Sequence, residues 1–217
     1  MARGFKRKGE VFVAKLDAVE RGLVVGLMEQ VRELLEPDEP GGDSASRSAK
    51  EQGGDAFDQI VAGLGGSGWG VSVSPEDQVP GAPASPGALE GRDPALDRLL
   101  PAAHREDEQI AAEFRRFTEH GLRARKTANL STAIAALSAA EEQRVELDQP
   151  QAVALVVALT DVRLVLGERL GLRTDEDLEL IEEQVSSLDD DDPAVYALAV
   201  YDFLTWLQET LAHALNR

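Results

Sequence analysis

Apolar residues recur along this chain mostly at helical spacing. The densest run is Gln149 to Leu172, QPQAVALVVALTDVRLVLGERLGL, which is apolar on almost every side from Val153 to Leu166 apart from Thr160, Asp161 and Arg163. A helix of that kind has to be covered by other helices. The pattern therefore predicts an all-α helical bundle around one buried central helix. A membrane span needs about 18 or more consecutive apolar residues. Here Asp161, Arg163, Glu168 and Arg169 interrupt the run and Gly167 to Gly171 reads as a helix stop, so a membrane role is not expected.

The flanking segments supply the cover. Gly4 to Lys15, GFKRKGEVFVAK, alternates as a short amino-terminal β-hairpin around Lys8 and Gly9. Asp17 caps a helix with Glu20 completing a capping box, and Leu16, Val19, Leu23, Met28, Val31, Leu34 and Leu35 form its apolar face up to Pro37. Asp93-Pro94 opens a short helix that Pro101 stops. Glu106 to Glu119 reads as the next helix, with a stripe of Ile110, Phe114 and Phe117, and His120 to Leu147 as a further one. In that helix Lys126 falls about 40° from Leu122 at 3.6 residues per turn. A lysine inside an apolar stripe snorkels, finds an acid or faces a partner. Thr174 caps DEDLELIEEQVSSL, and Asp192-Pro193 opens a last helix with Tyr196, Val200, Phe203, Leu204, Leu207 and Leu211 on one face. The total is about seven helices in a single domain, 1–217.

Two segments break the pattern. Residues 37–54 are polar and rich in Gly and Ser, and residues 65–92 hold seven Gly and four Pro. Neither buries enough apolar area to offset the entropy of ordering it, so both are expected to be flexible loop inserts. Between them Asp55 to Leu64 reads as one short helix.

Charge narrows the chemistry. The net charge is -18 over 217 residues, with 40 acidic and 22 basic side chains. An evenly spread charge of that sign repels nucleic acid, so DNA contact requires a local basic patch. The amino-terminal hairpin is one: Arg3, Lys6, Arg7, Lys8 and Lys15 oppose only Glu10. Lysines on an edge hairpin block aggregation, and the same residues suit phosphate or an acidic partner. Arg115, Arg116, Arg123, Arg125 and Lys126 are the second patch, although seven acids are interleaved with the eight basic residues from Arg92 to Lys126. There are no cysteines, so thiolate catalysis, thiol redox switching and zinc-thiolate sites are excluded. The three histidines are dispersed, no cofactor motif is present, and no metal or catalytic site is expected. Asp161 and Asp202 are better read as structural. Asp202 in the last helix is expected to form a buried ion pair with Arg163 or Arg169, since an unpaired buried charge is too costly to keep.

Three segments together resemble a family of actinobacterial proteins, once a domain of unknown function, now described as AosR-type oxidative-stress transcriptional regulators. They are GFKRKGEVFVAKLDAVE, DPALDRLLPAAHREDEQIAAEFRRFTEHGLRARK, and LTDVRLVLGERLG with DPAVYALAVYDFLTWLQETL. The resemblance implies a cytoplasmic, non-enzymatic regulator of oxidative-stress genes. Its implied partners are DNA and a sigma factor or RNA polymerase. Apart from the resemblance, a homodimer is a further expected form. It also implies an alternative, a protein-interaction adaptor linked to regulated proteolysis that binds no nucleic acid. A cysteine-free chain leaves Met1 and Met28 as the only sulfur atoms for direct oxidation sensing, and Met28 is expected in the core.

Overall fold

The computed structural model describes residues 2–36, 93–101, 108–172 and 192–217, with isolated positions between 173 and 191. The two loops expected at 37–54 and 65–92, and the helix expected at 55–64, lie outside the described residues. The rest is mostly helical, with a small antiparallel sheet of three strands. In chain order the elements are β1 (Arg3–Lys8), β2 (Val11–Lys15), α1 (Ala18–Leu35), α2 (Pro94–Leu99), α3 (Glu108–Ser138), β3 (Arg144–Leu147), α4 (Gln149–Arg169) and α5 (Pro193–Leu215).

Local chemistry sets the helix ends. The Asp17 carboxylate accepts from the amides of Val19 and Glu20, while the Glu20 side chain accepts from the Asp17 amide, a complete capping box. Asp148 and Gln151 make the same reciprocal pair at the start of α4. Asp93 and Asp192 cap α2 and α5, each with proline in the first turn, where its missing N–H is no loss. Thr174 and Asp177 exchange bonds of the capping-box type, as the expected helix start there requires. At the other end of α4, Gly171 takes φ +76°, a left-handed conformation glycine adopts without a Cβ clash.

Among the described residues, helix α4 packs against each of the other four helices, and ten of its residues are buried. It is long and apolar enough to cross a membrane by length and composition, but more than half of that stretch is enclosed by the fold. Met28 is fully buried in α1. Val19, expected on the inner face, is 80 % exposed because it lies about 140° round α1 from Val24, away from the buried face of Val24, Leu27, Met28, Val31 and Leu35.

Two segmental expectations change. The helices expected at Glu106 to Glu119 and His120 to Leu147 are one helix, α3, which ends at Ser138. The chain then turns through Glu142 at φ 52° and Arg144–Leu147 joins β2 as a third strand. Val145 and Leu147 are buried and Arg144 and Glu146 exposed, the two-residue period of a half-buried strand. Phe114 and Phe117, expected to face inward, are about half and three-quarters exposed.

The sheet is rooted in the core through Phe5, Phe12, Ala14, Val145 and Leu147. Strand β1 lies on α5. Arg3 pairs with Lys15 and Lys6 with Val13, so Gly4 and Phe5 together oppose Ala14 in a β-bulge. Phe5 is buried and its amide donates to Thr210 Oγ1 at 3.1 Å. A Cβ on Gly4 would fall 2.5–2.8 Å from the Thr210 side chain, so only glycine allows this approach. Gly4→Ala is expected to destabilise the protein by about 1–3 kcal/mol through overpacking, read as a lowered denaturation midpoint. An unchanged midpoint would mean that β1 does not rest on α5.

Candidate functional site

The three strands present one face to the core and one outward. Residues paired across an antiparallel sheet share a face, and successive pairs alternate. Phe12, Ala14, Val145 and Leu147 define the inner face. The outer face then carries Arg3, Lys15 and Arg144 in one row across all three strands, Lys6, Val13 and Glu146 in the next, and Lys8 with Val11 in the last. Apart from Val11 and Val13 all of these are exposed. Five basic groups against one acid make this face a local cation in a chain of net charge -18.

The turn that joins the first two strands aligns them. Gly9 takes φ +67° at the first central position of a two-residue loop, where a type II′ turn needs glycine. Arg7 points to the other face: its guanidinium lies 5.8 Å over the Phe12 ring and its Nε donates to the Gly9 carbonyl at 3.1 Å. Arg7 thus stiffens the turn, whereas Lys6 and Lys8 remain on the outer face.

Two members of the second expected patch, Arg123 and Lys126, are engaged within the fold. Arg123 donates through Nε and a terminal nitrogen to Glu119 and through its other terminal nitrogen to the Leu35 carbonyl at 2.9 Å, closing the carboxy-terminal end of α1. Lys126 is mostly buried and ion-paired with Asp161. Arg125 is exposed on α3, and Arg115 and Arg116 lie on the first half of the same helix. The arginine fork and the lysine therefore tie α3 to α1 and α4.

The expected buried pair at Asp202 is replaced by other partners. Asp202 is exposed, and among the described residues it has no ion pair. Positions 201, 204 and 208 of α5 face α4, and residue 202 lies about 100° round the helix from Tyr201. Arg163 stacks over Tyr201 at 5.1 Å and donates to Gln208 Oε1 at 2.7 Å. Arg169 pairs with Asp93, the cap of α2, and Arg98 of α2 pairs with Glu168 at 2.8 Å. These arginines join α2 and α5 to α4.

The buried acid is Asp161, 1 % exposed in the middle of α4. Desolvation raises its pKa above 3.8, and the hydrogen bond and charge of Lys126 oppose that shift. Its Oδ2 has no hydrogen-bond partner among the described residues. A raised folded-state pKa means that the folded protein holds this proton more tightly than the unfolded chain. The penalty is absent well below pH 3.8 and develops as pH rises through the folded value.

The model of a family described as a domain of unknown function, DUF2017, matches residues 2–215. No curated protein and no solved structure matches the chain.

Removing Lys126 leaves a buried carboxylate unpaired, so Lys126→Met is expected to destabilise the fold by about 3–5 kcal/mol near neutral pH. Lys126→Met with Asp161→Leu is expected to cost much less. The single variant's deficit should shrink as pH falls toward 4, because Asp161 then takes up its proton in the folded state. Denaturant melts of both variants at pH 7 and pH 4 check this; equal deficits for single and double variants would remove the pair from the account.

Proposed function

Because the chain belongs to the DUF2017 family, whose description names no activity, we propose its function from the sheet: a non-enzymatic cytoplasmic regulator whose basic outer face binds an acidic protein surface. The helices, arranged as a bundle about α4, serve as the scaffold that holds this face. The observation that carries the reading is the row Arg3, Lys15 and Arg144. Like charges directly opposite one another destabilise a sheet by about 0.2–1 kcal/mol per pair, and an acidic partner relieves that repulsion. The resemblance to oxidative-stress regulators supports a sigma factor or RNA polymerase as the partner. Duplex DNA is the weaker candidate, because five basic groups work against a net charge of -18. Met28 is enclosed and the chain has no cysteine, which leaves Met1 or the partner as the point at which an oxidative signal enters. The acidity of the rest of the molecule favours one further reading, an adaptor that meets a basic partner and no nucleic acid.

Lys15→Glu separates binding from stability. It places an acid between Arg3 and Arg144, so the melting temperature is expected to hold or rise while affinity for a sigma factor or RNA polymerase falls ten-fold or more. Parallel titrations with duplex DNA at low salt distinguish the partners. A log–log salt slope that drops by about 0.9 on Lys15→Ala would assign the face to phosphate. Undiminished binding of a protein partner by Lys15→Glu would favour the adaptor surface.

A further inference from the structure

The edge of the sheet at β3 is open. Strand β1 rests on α5, but among the described residues nothing pairs with the far side of β3. That side opens on a groove of about 1000 Å³ between β3 and exposed small side chains, Thr132 and Ala135 of α3 and Ala139 in the turn after it. The Leu16 amide donates to the Gln143 carbonyl at 2.9 Å, and bonded and unbonded pairs alternate along an antiparallel ladder. In this register Val145 and Leu147 therefore spend their backbone groups on β2, and Arg144 and Glu146 point theirs outward. The Arg144 amide is held by the Glu141 carbonyl at 3.2 Å, which leaves the Arg144 carbonyl and both Glu146 groups at the edge.

We propose that this edge is occupied by a second copy of the chain, β3 pairing antiparallel with β3 of its partner about a two-fold axis at Val145, to give one continuous six-stranded sheet. Charge selects the occupant and the register. With the axis at Val145, each Arg144 faces the partner's Glu146 and each Glu146 the partner's Arg144. Those are the residues whose backbone groups point outward, so each Glu146 amide donates to the opposing Arg144 carbonyl. An axis at Arg144 would set arginine on arginine, and one at Glu146 glutamate on glutamate, both unfavourable. A two-fold contact must be self-complementary, and this tripeptide is. The ladder stops at three residues because the chain turns away at Glu142 and caps α4 at Asp148. Small side chains on α3 let the two helices approach beneath the joined sheet.

Within one copy Arg144 already bonds Glu146 at 2.7 Å, with both side chains about half exposed. The test must therefore separate that pair from the pair between copies. Arg144→Glu and Glu146→Arg are made as separate single variants of the full chain. Sedimentation velocity is run from micromolar to several hundred micromolar, with thermal melts to confirm folding. The wild type is expected to show a concentration-dependent dimer. Each variant alone opposes like charges twice and is expected to bind itself at least ten-fold more weakly. An equimolar mixture of the two restores opposite charges at both positions and is expected to recover the dimer. A wild type that is monomeric throughout overturns the proposal and leaves the groove to another occupant. Single variants that dimerise like the wild type overturn it, as does a mixture that stays monomeric while the wild type dimerises. These readouts do not involve a transcription partner, so they stand or fall apart from the function proposed for the basic face.

Discussion

The pairing of Lys126 with Asp161 is the constraint around which the other contacts are arranged. A carboxylate in the middle of the most enclosed helix is tolerated only because α3 brings an ammonium to it, and that fixes the rotation and height of α3 on α4. Once α3 is set, Arg123 reaches the last carbonyls of α1 and holds that helix's end in place. The other charged groups of α4 extend the same principle. Arg163 meets α5 through Tyr201 and Gln208, while Glu168 and Arg169 meet α2 through Arg98 and Asp93. Apolar packing brings the helices together, and these polar contacts set their register.

The consequence for function is a division of labour among the basic residues. Those on α3 that the structure places against α1 and α4 stabilise the helical body, whereas those on the strands face solvent. An isolated hairpin is at best marginally stable in water, and a small sheet gains its stability through a buried apolar face; here Phe5, Phe12 and Leu147 anchor that face to the helices. That anchoring allows it to carry a row of like charges that a free hairpin would not hold in alignment.

Much of this was legible in the sequence. Caps are local chemistry, so Asp17 with Glu20, Asp93-Pro94 and Asp192-Pro193 announced the starts of three helices, and Gly171 announced an end. Lys126 within an apolar stripe had to snorkel, find an acid or face a partner, and that it finds Asp161 depends on how α3 crosses α4. Strand β3 was hidden because four residues, RVEL, are too few to establish a period and follow an alanine-rich stretch that favours helix. Without β3, Arg144 could not be placed beside Lys15. Asp202 was misplaced for a similar reason: one residue along a helix is a rotation of about 100°, and which face meets α4 is decided by the whole interface. The sequence thus located charges and boundaries, whereas the partners of the charges are set by tertiary packing.

The seat of β1 on α5 bears on the order in which the protein is made. The hydrogen bond from the Phe5 amide to Thr210 spans 205 residues, and the bulge that lets Gly4 and Phe5 lie against the last helix has no surface to rest on until that helix exists. Contacts of such long sequence separation form late, since the chain's loop entropy must be overcome before they contribute. During synthesis the first strands therefore precede their seat on α5 by 205 residues, and the Phe5 amide waits for Thr210. The positive charges on Arg3, Lys6, Arg7 and Lys8 then act in time as well as in space. They keep the nascent hairpin in solution until its partner helix arrives.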